Sequence, residues 1–99
     1  MIPCSSCNKA LEGPPSASIC GCFMGDEYIE SWYFCASCGV YTKEIYRDRF
    51  CNEPSVLTGG PVAKADGDAR VALIRGCARP WDGRCRCQSH MTYFDGHLD

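Results

Sequence analysis

Two pairs of cysteines share the spacing Cys-x-x-Cys. The first pair is Cys4 and Cys7, and the second is Cys35 and Cys38, with residues 8–34 between them. This spacing lets both thiolates of a pair reach one metal ion, and four thiolates satisfy the tetrahedral coordination of a structural Zn²⁺ ion. We therefore expect these four residues, called here the knuckle site, to bind one metal. Inert buried thiols or adventitious disulfides are the alternative.

The rest of the chain supplies seven further donor candidates. Two tetrahedral ions that share one bridging thiolate need seven donors in total, which is the number present. A single ion could instead use four of them, with the other thiols buried as small apolar residues. An iron–sulfur cluster is the third interpretation. The seven candidates are Cys20, Cys22, Cys51, Cys77, Cys85, Cys87 and His90.

Two of these cysteines lie symmetrically about the second pair, because Cys22 precedes Cys35 by as many residues as Cys51 follows Cys38. Opposed residues of an antiparallel hairpin have residue numbers with a constant sum. An unbulged hairpin would therefore place Cys22 opposite Cys51 at its open end. We expect these two to be the central ligands of a second site, with the C-terminal loop folded over them.

The elements that must position these donors can be predicted from strand formers and breakers. Aromatic and β-branched runs on both sides of Cys35 and Cys38 predict a long β-hairpin over residues 27–50, with Gly39 in its turn. A short strand is expected at 16–24 and a loop at 51–60. A helix should begin at Pro61 and end near residue 75, and a strand at 70–74 is the competing prediction.

Beyond this helix, a cysteine-rich loop is expected over residues 77–90. Residues 91–99 should form a short helix or an ordered tail. Both tryptophans, Trp32 and Trp81, are expected to lie in the core rather than to serve as binding platforms.

With the two knuckles and the hairpin in view, residues 4–50 resemble the zinc-ribbon and rubredoxin-like class. That resemblance implies a zinc ion or a single iron held by the knuckle cysteines. Asn8 follows the first pair where rubredoxins have a glycine, and this difference favours zinc over an electron carrier. We expect a small, metal-stabilised α+β domain spanning residues 1–99. Its zinc-ribbon-like part is 1–50, and 51–99 adds one helix and a cysteine-rich C-terminal loop packed on it.

The composition indicates what holds the fold together and in which compartment the protein is expected. Ten cysteines in 99 residues indicate a scaffold held together by metal ions or disulfides. The start, Met1 to Cys4, has no basic residue and no apolar run. We therefore expect no signal peptide and a cytoplasmic location, where thiols stay reduced. No run approaches the roughly 18 apolar residues of a membrane span.

Charge gives the only indication of a partner. The net charge of −2 argues against general binding to nucleic acid. Residues 70–90 are nevertheless basic, with Asp82 as their only acidic residue, and we call this segment the basic lobe. It suggests an acidic protein partner or an anion, and an ordinary solvated surface is the alternative. Its arginines are Arg70, Arg75, Arg79, Arg84 and Arg86.

These features favour a small non-enzymatic zinc-binding protein, an accessory or interaction module that holds two or three zinc ions. No Ser-His-Asp set, phosphate-cradling glycine loop or pair of catalytic carboxylates can be identified. The first alternative is an electron carrier with an iron–thiolate or iron–sulfur centre. The second is a thiol- or metal-handling protein that exposes Cys20-Gly21-Cys22 or Cys85-Arg86-Cys87 as an exchangeable pair.

Overall fold

The computed structural model describes residues 2–49 and 53–96. It confirms a small α+β fold with antiparallel sheets, and it contains two helices where one was expected. Strands β3 to β6 form a four-stranded sheet in chain order, while β1 and β2 pair separately. The elements are β1 (Ile2–Pro3), β2 (Ala10–Leu11), β3 (Ala17–Phe23), β4 (Asp26–Cys35), β5 (Val40–Asp48), β6 (Ser55–Ala63), α1 (Lys64–Arg75) and α2 (Gln88–Tyr93).

The predicted long hairpin is present as β4 and β5, but its register differs from the symmetric one. Cys35 lies opposite Val40, which shifts the constant sum of paired residue numbers by two. The chain also reverses at Met24 and Gly25, whose positive φ angles of 52° and 83° suit a tight two-residue hairpin turn. Cys22 therefore belongs to β3, a different strand. It lies opposite Glu27 of β4 and is not part of the β4–β5 hairpin. Its predicted partner, Cys51, lies outside the described residues.

The segment after the hairpin is a strand rather than the expected loop. Its strand formers, Val56, Leu57 and Val62, pair with β5 along an edge of the sheet. An edge strand tolerates Pro61, because its outer side needs no backbone donor. The helix consequently begins at Lys64 instead of Pro61 and ends at Arg75 as expected. The competing strand at 70–74 is wrong.

Both helices cover one face of the sheet. The core between them contains six buried side chains, and Trp32 is among them, as expected. Tyr93 of α2 is fixed there by two hydrogen bonds, since its hydroxyl accepts from Trp32 Nε1 at 2.8 Å and donates to Glu30 Oε1 at 2.7 Å. The core residues are Ile19, Trp32, Tyr41, Val71, Ile74 and Tyr93.

The N-terminal segment docks on the opposite face, near the tip of the hairpin. Side chains alternate along a strand, so Tyr33 and Cys35 of β4 point away from the face that carries Trp32. They form a second small core with buried residues of the N-terminal segment, Ile2, Cys4 and Leu11. Ser5 anchors this segment further, because its backbone N–H donates to Thr42 Oγ1 at 2.9 Å. The Thr42 side chain is fully buried.

Within the described ranges, neither helix has the length and apolar character needed to cross a membrane.

Candidate metal centres

The four thiols of the knuckle site converge between the N-terminal segment and the hairpin tip, as predicted. Their sulfur atoms all lie within 4.8 Å of one another, and the sulfurs of Cys7 and Cys35 are 3.9 Å apart. A tetrahedral ion with metal–sulfur bonds of about 2.3 Å separates its ligands by about 3.8 Å. The nine described cysteines are free thiols, so no disulfide competes. The arrangement could therefore hold one metal ion.

The two knuckles have the same backbone conformation. Asn8 N–H donates to the carbonyl of Cys4 at 2.9 Å, and Gly39 N–H donates to the carbonyl of Cys35 at 2.8 Å. Asn8 and Gly39 both have left-handed backbone angles, with φ of 63° and 67°. Asparagine is one of the few residues with a side chain that visit this region routinely. Asn8 thus adopts the conformation that a glycine would, although the sequence differs from the rubredoxin pattern there.

Two thiols of the knuckle site, Cys4 and Cys38, have pKa values shifted in opposite directions. The backbone N–H groups of Cys7 and Ser6 point at the sulfur of Cys4, which lowers the pKa of Cys4 to about 6. Hydrogen bonding to Cys7, together with burial, raises the pKa of Cys38 to about 12. The lowered pKa makes Cys4 a thiolate more readily than Cys38. A divalent cation binding here would displace the thiol protons, because thiolates are the ligand form.

A second group of four donors forms at the other end of the chain and is called here the C-terminal site. It consists of Cys77, Cys85, Cys87 and His90, whose ligand atoms all lie within 4.8 Å of one another. The sulfur of Cys77 lies 3.6 Å from that of Cys85, 3.5 Å from that of Cys87 and 3.4 Å from His90 Nδ1. These separations again approach the edges of one tetrahedron.

The short linkage between the two helices brings these four donors together. Cys77 follows the end of α1, and Cys87 is the N-cap residue of α2, whose sulfur accepts from His90 N–H at 3.4 Å. This backbone bond lowers the pKa of Cys87. Burial raises the pKa of Cys77 to about 11. Cys77 is the donor around which the group is arranged, and Cys22, one of the two predicted central ligands, does not belong to it. The other predicted central ligand, Cys51, lies outside the described residues.

The ring of His90 is oriented as a metal ligand requires. Its Nε2 atom lies 2.6 Å from the carbonyl oxygen of Cys20, and the side chain is fully buried. A carbonyl only accepts hydrogen bonds, so Nε2 carries the proton and the lone pair of Nδ1 faces Cys77. Histidines that bind metals commonly donate their other N–H to such an acceptor. The backbone N–H of Cys20 also donates to Pro80 at 2.7 Å, which fastens the loop to β3.

Cys20 and Cys22, predicted to be ligands of the second site, lie outside both groups of four. They face the loop at Gly83, where an added Cβ atom would lie 2.8 Å from the sulfur of Cys22 and 3.2 Å from that of Cys20. Glu27 lies opposite Cys22 in the sheet. Burial is the main reason that the pKa of Cys20 is raised to about 12. The negative charge of the Glu27 carboxylate adds to this increase.

Three arginines of the basic lobe have structural roles. Arg70 donates to the carbonyl of Tyr93 at 3.1 Å, and Arg75 donates to that of Ser16 at 3.1 Å. Arg86 donates to two carbonyls of its own loop. Sequence charge alone could not reveal these contacts, because carbonyl acceptors are present everywhere in the chain. These bonds to neutral carbonyls leave the guanidinium charges in place, whereas the charge of Arg79 is partly offset by the carboxylate of Asp82 at 4.0 Å.

Trp81 is 71% exposed, so the expectation that it lies in the core is wrong. Its neighbour Pro80 is held against β3 by the bond from Cys20, and Cys77 and Cys85 lie together in the C-terminal site. Trp81 lies in the short loop between Pro80 and Cys85, and its indole points outward from this loop.

Comparison of the chain with protein-family models, with curated proteins and with solved structures gives no match.

Proposed function

We propose that this protein is a small zinc-binding module with two structural metal sites and a zinc-ribbon-like hairpin. It acts without catalysis, as an accessory or interaction protein in a reducing compartment such as the cytoplasm. The observation that carries the proposal is the convergence of two complete sets of four donors, each within 4.8 Å. Both sets are made of thiols or thiols with one histidine, which are the donors of structural zinc sites.

The donor chemistry favours zinc over the iron alternatives. Three thiols and one imidazole, as at the C-terminal site, are a normal ligand set for Zn²⁺. An iron–sulfur cluster distributes its cysteines over several irons, whereas the sulfur of Cys77 lies within 3.6 Å of those of Cys85 and Cys87. The spacing suits one ion at each site. A single iron at the four-thiol knuckle site is the remaining competitor.

Closed coordination supports a structural role. Each site has four protein donors, and a tetrahedral ion with four protein ligands keeps no position for water or substrate. The ions would instead fix the loop that presents Trp81 between Arg79 and Arg84. Tryptophan and arginine are frequent anchors of protein interfaces. We therefore propose that this loop contacts a protein partner with acidic groups, and that the affinity falls as salt concentration rises.

Metal analysis of protein purified from cells grown without added zinc tests the assignment. We expect two zinc ions per chain, no iron, and no absorption in the visible range. Ferric thiolate or cluster centres would colour the protein, so a visible band that accompanies stoichiometric iron would contradict the zinc assignment. A Cys38→Ser variant provides the control, because loss or displacement of the band in this variant would assign it to the knuckle site.

Chelation provides the second test. Removal of the metals should unfold the chain, since metal affinity contributes folding free energy when the site is not preformed. We would follow the far-UV circular dichroism and the thermal midpoint during titration with a strong chelator. A metal-free protein with the spectrum and midpoint of the loaded form would refute the structural role.

A further inference from the structure

The two thiols on β3 lie close together without belonging to either zinc site. Residues two apart in a strand project to the same face, so Cys20 and Cys22 point in one direction. Glu27 shares this face, because it lies directly opposite Cys22 on β4. Cys20 and Glu27 line the same cavity, and the charge of the Glu27 carboxylate acts on the Cys20 thiol. Two soft donors and one hard donor are therefore grouped on one end of the sheet.

The loop above these thiols is shaped by the two sulfur atoms. The backbone φ of Gly83 is not in the left-handed region, so conformation alone does not require glycine there. The limited space requires glycine instead, because a Cβ atom at this position would lie within 3.2 Å of both sulfurs. The same distances place the two sulfurs no more than about 6 Å apart. Gly83 therefore packs its backbone against both sulfurs, where a side chain would not fit.

Each residue of the pair lines a surface cavity. Cys22 is half-buried and lines a cavity of about 460 Å³ together with Glu27, Arg84 and Arg86. Cys20 and Glu27 also line a second, largely apolar cavity of about 330 Å³ beside Trp81. Glu27 and Asp82 both act electrostatically on the Cys20 thiol. Their negative charge attracts a cation, while the arginines of the larger cavity offset the charge of a thiolate.

We propose that Cys20 and Cys22 form a third metal site, open to solvent, for a soft monovalent cation of the copper(I) class. Soft thiolates select such ions, and Cu(I) is satisfied by two or three ligands where structural zinc takes four. On binding, each thiol loses its proton to solvent and each sulfur forms one bond to the ion, without any change of oxidation state. Glu27, which lies opposite Cys22 and lines the same cavity, would supply negative charge near the bound cation. This site goes beyond the proposed structural function, because neither zinc site uses these sulfurs.

The test is an anaerobic titration of zinc-loaded protein with Cu(I) supplied as a coloured chelate. A Cys51→Ser background removes the one cysteine outside the described residues. We expect one Cu(I) to be withdrawn from the chelate per chain, while a zinc-sensitive dye detects no released zinc. Zinc released in proportion to copper bound would place Cu(I) in a zinc site and overturn the proposal. Binding by the wild type but not by Cys51→Ser would also overturn it, because two thiols would then be insufficient.

Variants locate the site. Cys22→Ser, at a half-buried position, should abolish copper binding and retain both zinc ions. Gly83→Ala should weaken binding by about tenfold or more, a loss of about 1.4 kcal/mol, because its methyl group presses on both sulfurs. Gly59→Ala is the matched control, since an added Cβ there meets no atom within 4 Å. Unchanged copper affinity in Cys22→Ser, or equal effects of the two glycine variants, would refute the assignment.

Discussion

The shared backbone conformation of the two knuckles leads to a sharp test at Asn8 and Gly39. Gly39 has φ of 67°, and an added Cβ atom would meet no atom within 4 Å. Gly39→Ala therefore changes only the energy of the backbone conformation, without a steric clash. Asn8→Gly makes the opposite change at the equivalent position, where φ is 63°.

The magnitude follows from the cost of the left-handed conformation. An L-residue with a Cβ atom pays about 1–2 kcal/mol there, and asparagine pays less because its short polar side chain suits the region. Metal binding is coupled to folding, so this energy should appear in the zinc affinity of the knuckle site. A cost of 1–2 kcal/mol corresponds to a factor of about 5–30. We expect Gly39→Ala to bind zinc more weakly by that factor, and Asn8→Gly to bind it as tightly as the parent or more tightly.

The assay is a competition titration against a coloured zinc chelator. A Cys87→Ser background disables the C-terminal site, so that only the knuckle site is measured. Gly59→Ala is the control, because Gly59 does not have a left-handed φ angle and its surroundings are open. Equal affinity of Gly39→Ala and Gly59→Ala would refute the conformational argument. Weaker zinc binding by Asn8→Gly would refute the equivalence of the two knuckles.

Three further substitutions test the packing, each by thermal or denaturant unfolding of the zinc-loaded protein. Gly67→Ala should cost about 1–3 kcal/mol, although alanine normally favours a helix, because the new methyl group overlaps the ring of Tyr41; a rise in stability would contradict this packing. Tyr93→Phe should also cost about 1–3 kcal/mol, since the buried indole N–H of Trp32 loses its acceptor, and a change near zero would show that the hydrogen bond is absent. Trp81→Ala should change stability by less than about 0.5 kcal/mol, because the side chain is 71% exposed; a loss comparable to the roughly 3–5 kcal/mol expected for Trp32→Ala would place Trp81 in the core.

Local spacing allowed the knuckle site to be predicted from sequence. Each Cys-x-x-Cys pair is a chelating unit within a single turn, so its geometry depends little on the rest of the fold. The flanking strand formers then place the second pair at the tip of a hairpin. Asn8 shows the limit of motif comparison, because a residue other than glycine reaches the same backbone conformation.

The C-terminal site could be predicted only as a pool of donors. The symmetry argument assumed one continuous strand through Cys22, whereas Met24 and Gly25 reverse the chain. The tight turn moves Cys22 to another strand and removes it from the site. The hydrogen bond from His90 to the carbonyl of Cys20 connects residues far apart in sequence, and no local pattern encodes it.

The strand at residues 55–63 was missed for a related reason. Its two glycines and Pro61 are typical of loops, and they outweighed Val56, Leu57 and Val62 in a local interpretation. Pairing with β5 decides the outcome, and that pairing is a tertiary interaction. The exposure of Trp81 likewise depends on where the metal-site loop is fastened, which composition cannot indicate.

The most direct test of the two-site account is zinc stoichiometry by native mass spectrometry in three single variants. We expect two zinc ions in the wild type and one in Cys38→Ser, which retains the C-terminal site. One is also expected in Cys85→Ser, which retains the knuckle site, and two in Cys51→Ser, because both donor sets are complete without it. Loss of both ions from Cys38→Ser, or loss of any ion from Cys51→Ser, would contradict two independent four-donor sites.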